Sequence, residues 1–114
     1  MRLQDDNFLI RFDPERNRVL FEGVLRLSGP AEYGRIERFL LDVLELDLPR
    51  LEMDFSELEF LNSAGISMLC HFIFQAKEKD KMPLGIRGNR EVLWQKKSFS
   101  NLQQLWEKIE LNLT

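Results

Sequence analysis

The chain has 114 residues, 44% of them hydrophobic, and a formal net charge of −3 at pH 7. A chain of this length can bury a core as one domain, and its apolar content excludes disorder. The charge provides no field that attracts nucleic acid or an anionic membrane surface, so neither is expected as a partner. The sequence therefore predicts one domain over residues 1–114.

A single cysteine, Cys70, excludes an internal disulfide and any metal site built on thiolates. The N-terminus carries the acidic pair Asp5-Asp6 and has no apolar core, so a signal peptide is not expected. No stretch approaches the roughly 18 apolar residues that a membrane span needs. These features favour a cytoplasmic protein that is not inserted in a membrane.

The first half of the chain alternates between strand and helix patterns. Phe8–Phe12 and Arg18–Val24 read as strands, with a turn around Pro14 between them. Ser28-Gly29-Pro30 predicts a helix start, because proline is favoured at the first helical position. Pro49 ends this unit. Apolar residues at helical spacing form the stripe of this helix: Ile36, Phe39, Leu40, Val43 and Leu44.

In the second half, Leu51–Phe55 predicts a strand and Ser63–Lys79 a second helix. Met82-Pro83 breaks that helix, and Leu84–Arg87 offers a short strand. The remainder is predicted as two helical pieces interrupted at Ser98–Ser100. The second piece carries an apolar stripe: Leu102, Leu105, Trp106 and Ile109.

This order of elements, β-β-α-β-α-β-α-α, is typical of a layered α/β domain. Right-handed crossovers through the helices would pack them against a mostly parallel central sheet. The first strand or two would then form antiparallel edges of the sheet.

The polar cluster Asn62-Ser63-Ala64-Gly65 separates the apolar run before it from the helix that follows. The first N–H groups of a helix have no helical acceptor, and together with the helix dipole they favour a negative charge. Ser63 therefore lies where a phosphate group could be accepted without melting the helix. The alternative is that Asn62 or Ser63 is only an N-cap.

The strand with Asp54, the short turn and the run Phe60–Ile66 resemble the signature of the STAS domain family. This family includes bacterial anti-sigma factor antagonists and cytoplasmic domains of sulfate transporters. In the resemblance, Asp54 matches the Asp that ends a strand, and Ser63 matches the phosphorylated serine of the antagonists. Asn62 stands where the signature has Asp. Ala64 and Gly65 stand at the following Ser/Thr and Gly, so Asn62 has lost a carboxylate and Ala64 a hydroxyl.

The resemblance implies a protein-binding module of a partner-switching pathway that regulates transcription. The unphosphorylated domain would bind an anti-sigma factor, often a serine kinase. Phosphorylation of Ser63 would break the complex, and a phosphatase would restore it. In this picture Asn62 caps or orients the switch, and Gly65 lets the partner come close. Further contacts to the partner are expected from Ala64, Ser67, Met68 and His71.

A hydrolytic Ser63–His71 pair is not expected, because eight residues along one continuous helix span about 12 Å. A general base needs about 3 Å to its nucleophile. His71 is expected to be solvated on the polar face of the helix. No phosphate-binding loop and no metal-binding motif appears, so neither an enzyme nor a cofactor is expected.

Two other functions are compatible with the sequence. One is a non-switching STAS-like accessory subunit of a lipid-transport or other ATPase assembly, in which Ser63 would be only a cap. The other is a sensor of a small ligand, since an α/β layer can open a pocket at the ends of its strands. The helix from Ser63 also carries Met68, Phe72 and Phe74 beside its core stripe. Either these side chains form a binding face, or a neighbouring helix covers them.

Overall fold

The structure of the protein is a computed structural model that describes residues 1–114. The elements run in chain order as β1 (Arg2–Gln4), β2 (Phe8–Asp13), β3 (Arg18–Leu25), α1 (Pro30–Leu44), β4 (Leu51–Leu61), α2 (Ser63–Lys79), β5 (Leu84–Gly88), α3 (Leu93–Gln103) and β6 (Ile109–Leu113). The predicted start of α1 at Pro30 and the predicted bounds of α2 are confirmed.

All six strands form one sheet, in which their spatial order equals their order in the chain. The strands β1, β2 and β3 pair antiparallel, and β3, β4, β5 and β6 pair parallel. The predicted mostly parallel sheet with antiparallel edge strands is thus confirmed. Strand β1 was not predicted, because three residues are too few to show a pattern of alternation.

One face of the sheet is covered, and the other is open. Val19, Met53 and Ile86 lie side by side in register and are fully buried. Connections between neighbouring parallel strands are right-handed, so all three helices lie on this same face. The opposite face carries charged side chains, among them Arg87, whose Nε donates to Glu52 at 3.3 Å.

Strand β4 is longer than predicted, since it continues past Phe55 to Leu61. Its pairing with β3 contains two register shifts, each of which adds one residue to β4. These bulges break the alternation of apolar and polar residues on which the sequence prediction depends. The second half of β4 pairs with β3 alone, because β5 reaches only to the level of Asp54.

Gln95 of α3 replaces the missing neighbour of β4. Its side chain is fully buried, and its Nε2 donates to the carbonyl oxygens of Phe55 at 2.7 Å and Leu58 at 2.9 Å. Its Oε1 accepts the N–H of Asn89 at 2.7 Å. Buried backbone groups need such partners, so one glutamine satisfies the irregular part of the strand.

The prediction of two C-terminal helical pieces was wrong. Ser98–Ser100 lies inside the continuous helix α3, where Ser100 donates from Oγ to the carbonyl of Lys96 and is thereby accommodated. Ile109 begins strand β6, which pairs in parallel with β5. Its apolar residues alternate toward the covered face of the sheet, and this long-range pairing prevails over the apparent helical stripe. No helix of the structure has the length and apolar character that crossing a membrane requires.

Candidate partner-binding site at the start of α2

Helix α2 begins directly after β4, and Asn62 is its N-cap. The backbone of Asn62 is extended, and its Oδ1 accepts the N–H of Gly65 at 3.0 Å. Its backbone carbonyl accepts the N–H groups of Gly65 and Ile66. Asparagine is among the residues best suited to this position. The sequence left the cap open between Asn62 and Ser63, and the structure assigns it to Asn62.

The same side chain joins α2 to two other parts of the fold. The hydroxyl of Tyr33 in α1 donates to Asn62 Oδ1 at 2.6 Å, and Asn62 Nδ2 donates to the carbonyl of Leu27 at 2.9 Å. Burial raises the pKa of the Tyr33 hydroxyl above its ordinary value, so it keeps the proton that it donates. An aspartate carboxylate has no proton to donate to Leu27. Asn62 departs from the STAS signature, and its amide makes a hydrogen bond to Leu27 that the aspartate of the signature could not make.

Ser63 is the first residue of α2 and is exposed. Its hydroxyl makes no hydrogen bond within the protein. The N–H groups of Ser63 and Ala64 precede any carbonyl that the helix could offer them, and no acidic residue lies in the first turn. A phosphate on Ser63 would meet free donors and the positive end of the helix dipole.

Gly65 is buried, and its lack of a side chain serves internal packing. A Cβ at this position would lie 2.2 Å from Leu61 Cδ1 and 2.9 Å from the Tyr33 hydroxyl. The glycine therefore lets the first turn of α2 approach β4 and α1 closely. The approach of a partner through Gly65 stays a prediction.

A cleft of about 350 Å³ opens between α1 and α2, and its lining on α2 begins at Ala64, the residue after Ser63. From α2 it is lined by four of the residues predicted to contact a partner: Ala64, Ser67, Met68 and His71. Ser67 and His71 are exposed, whereas Met68 is only 6% exposed. The structure thus places these four residues around one concave surface, whereas Asn62 and Gly65 do not line it. Contact of any of them with a partner stays a prediction.

The sequence suggested that His71 is solvated, but in the structure it also contacts Glu37. Its Nδ1 lies 2.6 Å from Glu37 Oε2 of α1, although two thirds of its side chain is exposed. Gln75 donates to the same carboxylate oxygen. Helix α2 is continuous, which is the condition under which the sequence argued against a Ser63–His71 pair.

Of the apolar side chains beside the core stripe of α2, Met68 and Phe72 are buried. Phe74 is 49% exposed. Helix α1 packs along α2. Of the two alternatives for this face, covering by a neighbouring helix therefore holds for Met68 and Phe72, and Phe74 stays partly exposed. Cys70 is half-buried, and burial raises the pKa of its thiol above the ordinary value.

Tyr33 and Glu37 are site residues that the sequence did not reveal. Neither belongs to a local motif, and each lies more than twenty residues before Asn62 in the chain. The available signal was their spacing: i and i+4 on one helix share a face. That face also borders the predicted apolar stripe through Ile36.

No protein-family profile matches the chain, and no curated protein matches it in sequence. Among solved structures, the chain is similar to SiaC of Pseudomonas aeruginosa, with a TM-score of 0.70, 14% identity and coverage of 100% of this chain and 96% of that one. The chain is also similar to a chain in the crystal structure of the diguanylate cyclase SiaD in complex with its activator SiaC, from the same organism, with a TM-score of 0.73 and 15% identity. The coverage there is 100% and 99%, and the shared fold is that of SiaC.

An anti-sigma factor antagonist from Mycobacterium paratuberculosis matches with a TM-score of 0.61 and 18% identity, over 100% of this chain and 84% of that one. The resemblance read from the sequence thus agrees with the architecture over the whole chain. The chain has the STAS-like α/β fold that SiaC and this antagonist share.

Proposed function

We propose that the protein is a protein-binding module of the partner-switching type, whose binding is controlled by phosphorylation of Ser63. The observation that carries this proposal is that Asn62 and Ser63 have different roles at the start of α2. Asn62 supplies the cap, so the hydroxyl of Ser63 is exposed and has no structural bond to lose. The STAS-like fold and the concave surface beside Ser63 support the same reading.

The electrostatics of this site are sufficient for a switch. A phosphoserine carries about −1.5 to −2 charges at pH 7. The helix N-terminus accepts that charge within the free protein. At an interface formed around the neutral hydroxyl, burial of the charged phosphate brings a desolvation cost of several kcal/mol. Each 1.4 kcal/mol changes affinity about tenfold.

The partner we propose is a protein, and two classes are supported. The fold shared with an anti-sigma factor antagonist supports an anti-sigma factor serine kinase, with a phosphatase that resets the switch. SiaC was crystallised in complex with the diguanylate cyclase SiaD, of which it is the activator, and this supports a signalling enzyme of that kind instead. In either case the protein acts by binding, as a cytoplasmic signalling component, and needs no catalytic residue of its own.

The test is capture from a lysate of the source cells with purified wild type, Ser63→Ala and Ser63→Asp as baits, read by mass spectrometry. We expect one partner on wild type and Ser63→Ala that is reduced about tenfold or more on Ser63→Asp. Asn101→Asp, which adds one charge on the exposed surface of α3, is the matched control and should retain the partner.

The identity of the retained protein decides its class: an anti-sigma factor kinase, a diguanylate cyclase or a transport ATPase. Equal retention of one partner on all four baits would make Ser63 structural. It would favour the non-switching accessory subunit over the switch.

A further inference from the structure

The cleft between α1 and α2 contains one carboxylate, that of Glu37, and only one of its two oxygens is hydrogen-bonded within the protein. Both side chains that contact Glu37, His71 and Gln75, do so at Oε2. Oε1 of Glu37 has no donor from the protein. The Glu37 side chain is 17% exposed and lines the cleft, so this oxygen is held at a surface that an incoming group can reach.

No lysine or arginine of the chain lines this cleft. The contact with His71 requires a proton on Nδ1, which the neutral imidazole can supply. The contacts from His71 and Gln75 therefore leave one oxygen of the Glu37 carboxylate without a donor. The carboxylate of a half-buried acid whose second oxygen is free favours an incoming cationic donor.

The walls of the cleft are mostly apolar. Pro30 and Tyr33 contribute from α1, and Ala64 and Met68 contribute from α2. Such walls suit the aliphatic stem of a long side chain, which packs along apolar surface while its charged head finds a polar partner. Arginine fits better than lysine, because the guanidinium is more weakly hydrated and donates in a fixed plane.

We propose that this cleft receives an arginine side chain of the protein partner, with the stem against the apolar walls and the guanidinium bound to Oε1 of Glu37. The inference rests on the proposed function only in that the occupant belongs to a protein. It assigns to Glu37 a binding role that involves neither phosphorylation nor Ser63.

The test uses n-butylguanidinium as a probe of an arginine side chain, and N-butylurea as its neutral isostere. Each is titrated into the ¹⁵N-labelled full chain and followed by the amide shifts of residues lining the cleft. We expect saturable shifts with n-butylguanidinium at Ala64, Met68 and His71, and an affinity for N-butylurea that is weaker by about tenfold or more. Glu37→Gln should bring the guanidinium affinity down to that of the urea.

Glu78→Gln is the matched control, since it removes a carboxylate from the exposed last turns of α2, away from the cleft. It should bind n-butylguanidinium as wild type does. Equal affinity for both probes, equal guanidinium affinity in Glu37→Gln, or no shift of the cleft amides would each overturn the proposal. The comparison of the two probes on wild type needs no variant to fold. Because the assay contains neither the partner nor a change at Ser63, its failure would leave the phosphorylation switch standing, and the reverse also holds.

Discussion

At the scale of single residues, the adjacent side chains of Asn62 and Ser63 have opposite roles. The side chain of Asn62 makes three hydrogen bonds, to the first turn of its own helix, to Tyr33 and to the loop carbonyl of Leu27. Ser63 makes none and faces solvent. The sequence offered either of the two as the N-cap of α2. It could not show which one, because the partners that decide the matter come from α1 and from the loop before it.

This division predicts that two alanine substitutions affect stability very differently. Asn62→Ala removes the cap and leaves the Tyr33 hydroxyl and the Leu27 carbonyl without this partner. We expect a loss of about 2–3 kcal/mol in the free energy of unfolding. Ser63→Ala should change it by no more than about 0.5 kcal/mol, as for other exposed positions. Urea denaturation followed by circular dichroism measures both values. A cost for Ser63→Ala as large as that for Asn62→Ala would show that the serine is structural.

At the scale of elements, the start of α2 depends on close contact with β4 and α1. Gly65→Ala would push a methyl group against Leu61 and the Tyr33 hydroxyl. We expect it to cost about 1–3 kcal/mol, as overpacking does. Gly34→Ala is the matched control, because Gly34 lies within α1 with open space around it. There alanine should stabilise the protein by about 0.5–1 kcal/mol through its helix propensity.

These two glycine variants are compared by thermal unfolding under the same conditions. A Gly65→Ala protein as stable as wild type would mean that the first turn of α2 can move away from Tyr33. The claim that close packing of this turn positions Ser63 would then be wrong.

The irregular half of β4 makes a second prediction at this scale. Gln95→Leu keeps a side chain of similar size but removes the donors to the carbonyls of Phe55 and Leu58 and the acceptor for Asn89. Since each buried group left unpaired costs about 1–3 kcal/mol and Gln95 serves three such groups, we expect a loss of at least about 3 kcal/mol. Gln103→Leu, on the exposed surface of α3, should stay within about 0.5 kcal/mol of wild type. Similar stabilities of the two variants in urea would contradict the bridging role of Gln95.

The elements differ in how far the sequence could predict them, and the reason is physical. Helices α1 and α2 were predictable, because their capping residues and apolar stripes are local signals. Strand β6 was not, because its first residue, Ile109, completes an apparent helical stripe and only pairing with β5 decides the conformation of the segment. The second half of β4 was hidden by two bulges, which no local pattern announces.

At the scale of the whole molecule, the single-sided arrangement of helices gives the protein two unlike surfaces. The open face of the sheet is charged, and the helical face presents Ser63 beside the cleft between α1 and α2. The chain order of the elements and the handedness of crossovers were enough to predict a mostly parallel sheet with antiparallel edge strands and packed helices, but not the outer strands β1 and β6. The cleft was not predictable, because it is made by two helices that meet only in the folded protein.

The measurement that tests the central claim most directly is the affinity of the captured partner for the protein with phosphoserine at position 63, compared with the unmodified protein. Calorimetric titration gives both affinities, and a thermal melt of each form shows whether the fold is kept. We predict that phosphorylation weakens binding about tenfold or more while the melting temperature changes by no more than a few degrees. Equal affinity of the two forms, or a loss of binding that appears only with a loss of the fold, would contradict the claim that the charge on Ser63 controls the partner.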